Sequence, residues 1–235
     1  MQSIEIIPGT FSWAVMVGCC VSVFGALLIV GKRVSMKCNS WILNSFGLGM
    51  LLNLLFMEGY LWYKDLFALS VSLPLAYCSI MEMFAICAAL FKSKRAFEFS
   101  LFFGISGPLQ AFVSSVQVAK GEEYLLIDYF ASHALTIFVP IFMAVCMKYV
   151  PRKGSLLRVI LGMEVIAAMV YWIDLQLGAN YMYLIEKPEV VHLLNVGQWP
   201  YYLIGWHGWL YSIAGFIYAL FVFNRYLNKK TTGCL

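Results

Sequence analysis

Seven apolar runs, near residues 11–31, 41–60, 73–91, 99–118, 129–147, 155–175 and 201–224, divide this 235-residue chain, and its lysines and arginines sit almost entirely in alternate gaps between them. Each run approaches the roughly 20 residues that cross the hydrocarbon core as an α-helix. The pattern predicts an all-α, polytopic membrane protein. Residues 1–235 form a single domain, one bundle of seven transmembrane helices, with an external loop at 174–200.

The gaps fix the direction of threading. Residues 1–10 hold no basic residue; Lys32, Arg33 and Lys37 follow the first run, and Lys64 alone follows the second. Lys92, Lys94 and Arg95 then precede the fourth run, and Lys120 alone follows it. Lys148, Arg152, Lys153 and Arg158 join the fifth and sixth, Lys187 alone precedes the seventh, and Arg225, Lys229 and Lys230 close the chain. Basic residues are retained on the cytoplasmic side, so the amino terminus is expected outside and the carboxy terminus inside. The opening MQSIEIIPGT carries Glu5 and no basic residue, so it lacks the positive region of a cleavable signal peptide, and the first helix is expected to remain in the mature protein.

With 62% hydrophobic and 12% charged residues, the chain has far too much apolar surface for a soluble domain of this length. The net charge of +4 reflects the cytoplasmic loops, which suit anionic lipid head groups, and no nucleic-acid partner is expected. Seven cysteines are present. Cys19, Cys20, Cys78, Cys87 and Cys146 lie within apolar runs, Cys38 in a loop and Cys234 at the terminus. Their spacing suggests neither a disulfide framework nor a zinc site, and no metal or cofactor is expected.

Depth narrows the candidate site residues without selecting Cys78 uniquely, since Cys19 and Cys20 also lie in the outer half, and its neighbours then favour it. A third helix entering from outside near Leu73 places Cys78 roughly 8 Å below the outer surface, and a fifth helix entering near Asp128 places His133 at about the same level. A thiol needs a base or cation to become a nucleophile at neutral pH, and a histidine at matching depth supplies one. Cysteine also packs as a small hydrophobe, and a lone histidine can serve only an interhelical hydrogen bond. Pro74 opens the third helix in this reading. Glu82 lies one turn beyond Cys78 on the same face, an intramembrane acid of the kind that marks function, and Glu164 is similarly deep on the sixth helix. Asn53 and Glu58 on the second helix, Gln110 and Gln117 on the fourth, Asp174 ending the sixth and His207 on the seventh gather in the same outer half. Together they predict a polar cavity opening outward in a bundle whose cytoplasmic half is packed. Separate interhelical hydrogen bonds are the plainer alternative. Gly104, Gly107 and Pro108 predict a kink beside Gln110, and the aromatic outer loop 174–200 can either lie along the membrane surface or cap the cavity.

Four segments carry a family resemblance: LPLAYCSI at 73–80, FFGISGPLQA at 102–111, the isolated His133, and NYMYL followed by KP, LL and GQWPYYL between Asn180 and Leu203. Across residues 73–224 the chain resembles bacterial YwaF-type integral membrane proteins and the related vertebrate transmembrane protein 164 group. The resemblance implies a seven-helix acyltransferase of the bacterial cytoplasmic membrane that moves fatty acyl chains between phospholipids, in vertebrate members making ether lipids. It assigns the cysteine and histidine of that chemistry to Cys78 and His133. The bacterial pattern often has a histidine two residues before the cysteine and an aspartate after it; here those positions are Ala76 and Ser79.

The leading expectation is therefore a phospholipid acyltransferase or lipid hydrolase. Cys78 attacks an acyl ester with His133 as base, and a lysophospholipid or water resolves the thioester. Glu82, Asp174 or Asn180 orients the imidazole, Gln110 or Asn180 stabilises the oxyanion, and His207 supports the site. A proton-coupled transporter or binding protein and an assembly partner are the competing classes.

Overall fold

The computed structural model describes residues 3–119, 122, 124–188 and 196–232. Of the features singled out above, Lys120, Cys234, the side chains of Lys229 and Lys230, and the 189–195 stretch of the outer loop with its Leu-Leu pair lie outside the described residues. Seven helices are described: α1 Phe11–Arg33, α2 Met36–Tyr63, α3 Tyr77–Phe91, α4 Lys94–Ala111, α5 Tyr124–Cys146, α6 Ser155–Leu177 and α7 Tyr201–Thr232. Side-chain caps start three of them. Thr10, Ser35 and Ser93 accept from the backbone N–H of Trp13, Cys38 and Ala96, satisfying one otherwise unpaired donor at each N-terminus. At the other end of α6, Gly178 adopts the left-handed conformation that stops a helix and turns the chain into the outer loop.

Five helices, α1, α2, α5, α6 and α7, are long and apolar enough to cross a membrane. The remaining two differ for separate reasons. α4 carries Lys94, Arg95 and Glu98 within its first five residues. α3 has only 15 residues, roughly 22 Å of helix, so the third apolar run is not helical from its start. Pro74 precedes the helix instead of opening it, and Ala76 is the N-cap.

A second departure follows α4. The fourth apolar run was expected to be helical to residue 118, but the helix ends at Ala111 and Val116–Ala119 forms strand β2, antiparallel to β1 at Ser3–Ile6. Gln117 therefore lies on a strand opposite Glu5, and not on a helix. The reason is period-two patterning. Ile4 and Ile6 pair with Val118 and Val116, and these four residues pack with Leu126 and Phe130 into a small apolar cluster separate from the main core.

The main core lies among α2, α3, α4 and α5, with Leu43, Met50, Met81, Phe97, Phe102, Phe103, Val139 and Phe142 fully or almost fully buried. α1 packs on α5, while α6 and α7 pack on α4. Outward faces are as apolar as the core: Val21, Leu52, Leu55, Leu157, Leu161 and Phe216 are all exposed, as expected where lipid is the solvent.

Polar ties close the two ends of the bundle. At the basic end, Glu98 is 1% exposed and receives Arg152 through its backbone N–H (2.7 Å), Nε (2.9 Å) and Nη2 (2.6 Å). This pair pulls the α5–α6 connection onto the start of α4, and Tyr149 Oη donates to Lys92 O beside it (3.1 Å). Buried Asn39 donates to the carbonyls of Gly31 (2.9 Å) and Cys146 (3.4 Å), joining the α1–α2 turn to the end of α5. Arg225 donates to Pro151 O from α7. The basic gaps thus meet at one end of the bundle, and the poorly basic gaps, through the β-ribbon and the Tyr181 contacts described below, meet at the other.

Removing Arg152 leaves a buried carboxylate without its fork of donors. Arg152→Ala is expected to cost roughly 1–3 kcal/mol and Arg152→Lys less, since lysine keeps the charge but not the bidentate geometry; thermal unfolding in detergent micelles measures both.

Candidate active site

Cys78 is the second residue of α3. Ala76 supplies no side-chain cap, so the N–H groups of Tyr77, Cys78 and Ser79 have neither an intrahelical acceptor nor a capping side chain. The positive end of the helix dipole therefore lies at the thiol. This local arrangement depends on the short, irregular segment before the helix. Its backbone is held by Tyr181, whose hydroxyl donates to Leu69 O (2.6 Å) and accepts from Leu73 N–H (2.9 Å). Burial pushes the Tyr181 phenol up from its ordinary pKa, so it stays a neutral donor and acceptor.

His133 lies on α5 and lines the same cavity as Cys78. Counted from the basic ends of their helices, Cys78 and His133 are each thirteen residues up, roughly 20 Å of helix. The count from the outer ends is unequal because α5 begins at Tyr124 while α3 starts well inside its apolar run. His133 Nδ1 is 2.6 Å from the carbonyl oxygen of Tyr129, which can only accept. The proton thus belongs on Nδ1, which puts the imidazole lone pair on Nε2. The Tyr129 ring lies against the imidazole, centroids 4.4 Å apart, and its hydroxyl donates to Ala111 O (3.1 Å).

The cavity encloses about 550 Å³ among α3, α4, α5, α6, α7 and the outer loop. Phe103, Met163, Ala167, Trp206 and Leu210 give it apolar walls, and Gln110 and Ser114 bring polar groups from the end of α4. Tyr181, Met182, Tyr183 and Leu184 line it as well, so this part of the outer loop caps the cavity instead of lying along a surface. Trp199 Nε1 and Tyr202 Oη secure that cap by donating to Leu184 O (2.8 Å) and Tyr183 O (2.5 Å). Gly107 is needed where it stands. A Cβ there would overlap the Tyr77 ring, which lies against the α4 backbone and donates to Phe103 O (3.1 Å). Pro108 is inside α4 as expected, one residue beyond this contact.

The other expected site residues divide. His207 and Glu164 line the cavity and pair with each other, Nε2 to Oε1 at 3.4 Å, with Tyr211 donating to the same carboxylate. Glu82, Asn53 and Glu58 line a second cavity of about 360 Å³, together with Asp128, whose Oδ1 accepts from Asn53 Nδ2 (2.6 Å). One polar cavity was expected; the expected residues divide between a mainly apolar cavity and a smaller polar one, and Cys78, Ser79, Tyr129 and His133 line both.

Asp174 and Asn180 line neither. Asp174 is fully buried and both its oxygens accept from Tyr181 N–H (3.2 and 3.1 Å), while Asn180 accepts from Ile185 and Glu186 N–H and donates to Glu186 O. Their side chains hold the outer loop, so the expectation that they orient His133 or bind an oxyanion is corrected: the Asp174 acceptors and the Asn180 amide are bonded to loop backbone, and neither residue lines a cavity with His133. Sequence reasoning also passed over Tyr77, Tyr129 and Tyr181, because tyrosines in an aromatic-rich chain read as interfacial anchors. Among the described residues, no three of His, Cys, Asp or Glu converge as a metal-binding group.

A helical integral membrane protein, with a large apolar cavity meeting a cysteine and a histidine in its wall, is the class that fold and site define. The chain belongs to the TMEM164 family, whose model matches residues 7–222 and so includes every site residue above. Membership is consistent with a lipid-related membrane enzyme. Neither the search of curated proteins nor that of solved structures finds a match.

Gly107→Ala tests whether the Tyr77–α4 contact shapes the site. Overpacking there is expected to cost about 1–3 kcal/mol in thermal unfolding and to change the alkylation rate of Cys78, whereas Gly49→Ala, where nothing lies near the added methyl, should leave that rate unaltered.

Proposed function

We propose that this protein is a lipid acyltransferase or lipid hydrolase in which Cys78 is the nucleophile and His133 its base. The observation that carries the reading is the presence of both residues in the wall of one large, mainly apolar cavity, with the cysteine at the start of a helix. An acyl ester enters the cavity tail first. His133 Nε2 takes the Cys78 proton, the sulfur attacks the acyl carbonyl, and the unpaired N–H groups of the first turn of α3, with Gln110, receive the developing oxyanion. His133 then returns the proton to the departing alcohol, leaving a thioester on Cys78. Water or the hydroxyl of a lysophospholipid attacks that thioester and regenerates the thiol. The chemistry draws on this chain's residues alone.

The same reading sets the protein in a membrane with seven spans, its amino terminus outside and its basic end cytoplasmic. The distribution of lysine and arginine supports this orientation. α3 completes its crossing through the irregular segment at its outer end, a form of backbone tolerated at depth only where protein satisfies it. The YwaF-type motifs favour a bacterial cytoplasmic membrane and phospholipid substrates.

Mass spectrometry of the purified protein after incubation with a broad phospholipid panel tests this. Wild type is expected to carry an acyl adduct on Cys78 and to release lysophospholipid. Cys78→Ala should abolish the adduct, and His133→Ala should slow its formation by about 10²–10⁴-fold. Unchanged lipid and an unmodified Cys78 across the panel would sink the proposal.

A further inference from the structure

The two cavities differ in character, and Cys78 and His133 belong to the lining of both. The larger is walled mainly by apolar side chains from α4, α6 and α7. The smaller brings together Asn53, Glu58, Glu82, Asp128, Ser132 and Thr136, from α2, α3 and α5. Val116 and Val118 of β2 also line it, so it extends to the end of the bundle where the β-ribbon sits. Lysine and arginine are absent from its lining among the described residues. Oε1 of Glu82 is shielded from solvent and has no hydrogen-bond partner among the described residues. A carboxyl oxygen so placed calls for a hydroxyl or water donor.

The reaction itself imposes a need for such a chamber. Once the thioester has formed, the acyl chain occupies the apolar cavity, and the second nucleophile has to reach the carbonyl without displacing it. We propose that the smaller cavity is the acceptor chamber, through which a hydroxyl compound, water or the polar end of a lysolipid, approaches the Cys78 thioester from the side opposite the acyl chain. The inference rests on the acyl-transfer reading above. In the step, the hydroxyl oxygen bonds to the acyl carbon and its proton passes to His133 Nε2. The carbon–sulfur bond breaks with its electron pair on sulfur, and the thiolate then recovers the proton from His133. A two-sided wall explains why Asn53, Glu58, Glu82 and Asp128 gather away from the apolar cavity while sharing Cys78 and His133 with it.

Filling each cavity separately tests the division. Val118→Trp from β2 and Met57→Trp from α2 narrow only the smaller chamber; Ala167→Trp from α6 narrows only the larger. With intact-mass detection of acyl-Cys78, the first two variants should form the adduct within about twofold of wild type and lose it at least about tenfold more slowly. Ala167→Trp should show the reverse. Decay in water enriched in ¹⁸O, with and without lysophospholipid, identifies the acceptor: labelled free fatty acid means water, and unlabelled ester means the lipid hydroxyl. Decay at the wild-type rate in both chamber-filled variants overturns this inference alone. Failure of wild type to form acyl-Cys78 removes the acyl-transfer reading and the inference with it. Unaltered protein gives a further check that needs no variant. A small, water-soluble, cationic methanethiosulfonate should modify Cys78, located by peptide mapping, and complete protection of Cys78 from it would count as refutation.

Discussion

Backbone polar groups inside a bilayer have no water to turn to, and the arrangement of this protein around Cys78 and His133 follows from how it satisfies them. The chain between Lys64 and Tyr77 is irregular, yet it occupies part of the third apolar run. One tyrosine from a distant loop makes that possible. Tyr181 takes the Leu73 N–H and gives its own proton to Leu69 O, and Asp174 in turn fixes the Tyr181 backbone. Because the helix is thereby delayed to Tyr77, Cys78 falls in a first turn whose N–H groups are unspent. Had α3 begun at Leu73, the same cysteine would sit in mid-helix with its neighbouring donors consumed by hydrogen bonds.

Three features built independently, a shortened α3, a continuous α5 and a loop returning from α6, converge on one cavity, where Tyr129 both orients His133 through its carbonyl and flanks its ring. Tyr77 fastens the start of α3 to α4 through a contact that only glycine at 107 permits. At the opposite end the packing is tight, Glu98 is paired with Arg152, and the Asn39 amide nitrogen donates to two carbonyls. Rigid closure there leaves the open volume at the end where Cys78 and His133 lie.

Much of this was legible in the chain because hydropathy and charge act locally. Seven helices occur where seven apolar runs stand, and the capping residues Thr10, Ser35 and Ser93 sit at three of their starts. His133, Cys78, Gln110, His207 and Glu164 do line one cavity. The strand at Val116–Ala119 escaped notice since four residues of alternating pattern at the end of an apolar run look like more helix until their partner, Ser3–Ile6, is known. Asp174 and Asn180 misled for a related reason. A carboxylate or amide near a site is equally suited to chemistry and to holding a loop, and only its actual partners decide between them.

What the sequence by itself determined is therefore the kind of protein and its layering: helices through a bilayer, basic residues at one end, titratable groups concentrated toward the other. Each of these follows from the partition of single residues between water, interface and hydrocarbon, which the chain carries before it folds. Tertiary structure alone decided that Asn53, Glu58, Glu82 and Asp128 would line one cavity and Gln110, Glu164 and His207 another, that both would share Cys78 and His133, and that the loop after α6 would close the larger. Those outcomes depend on which helix faces meet, and packing between helices in an apolar solvent is settled by shape and by a few interhelical hydrogen bonds, neither of which is written in any one segment.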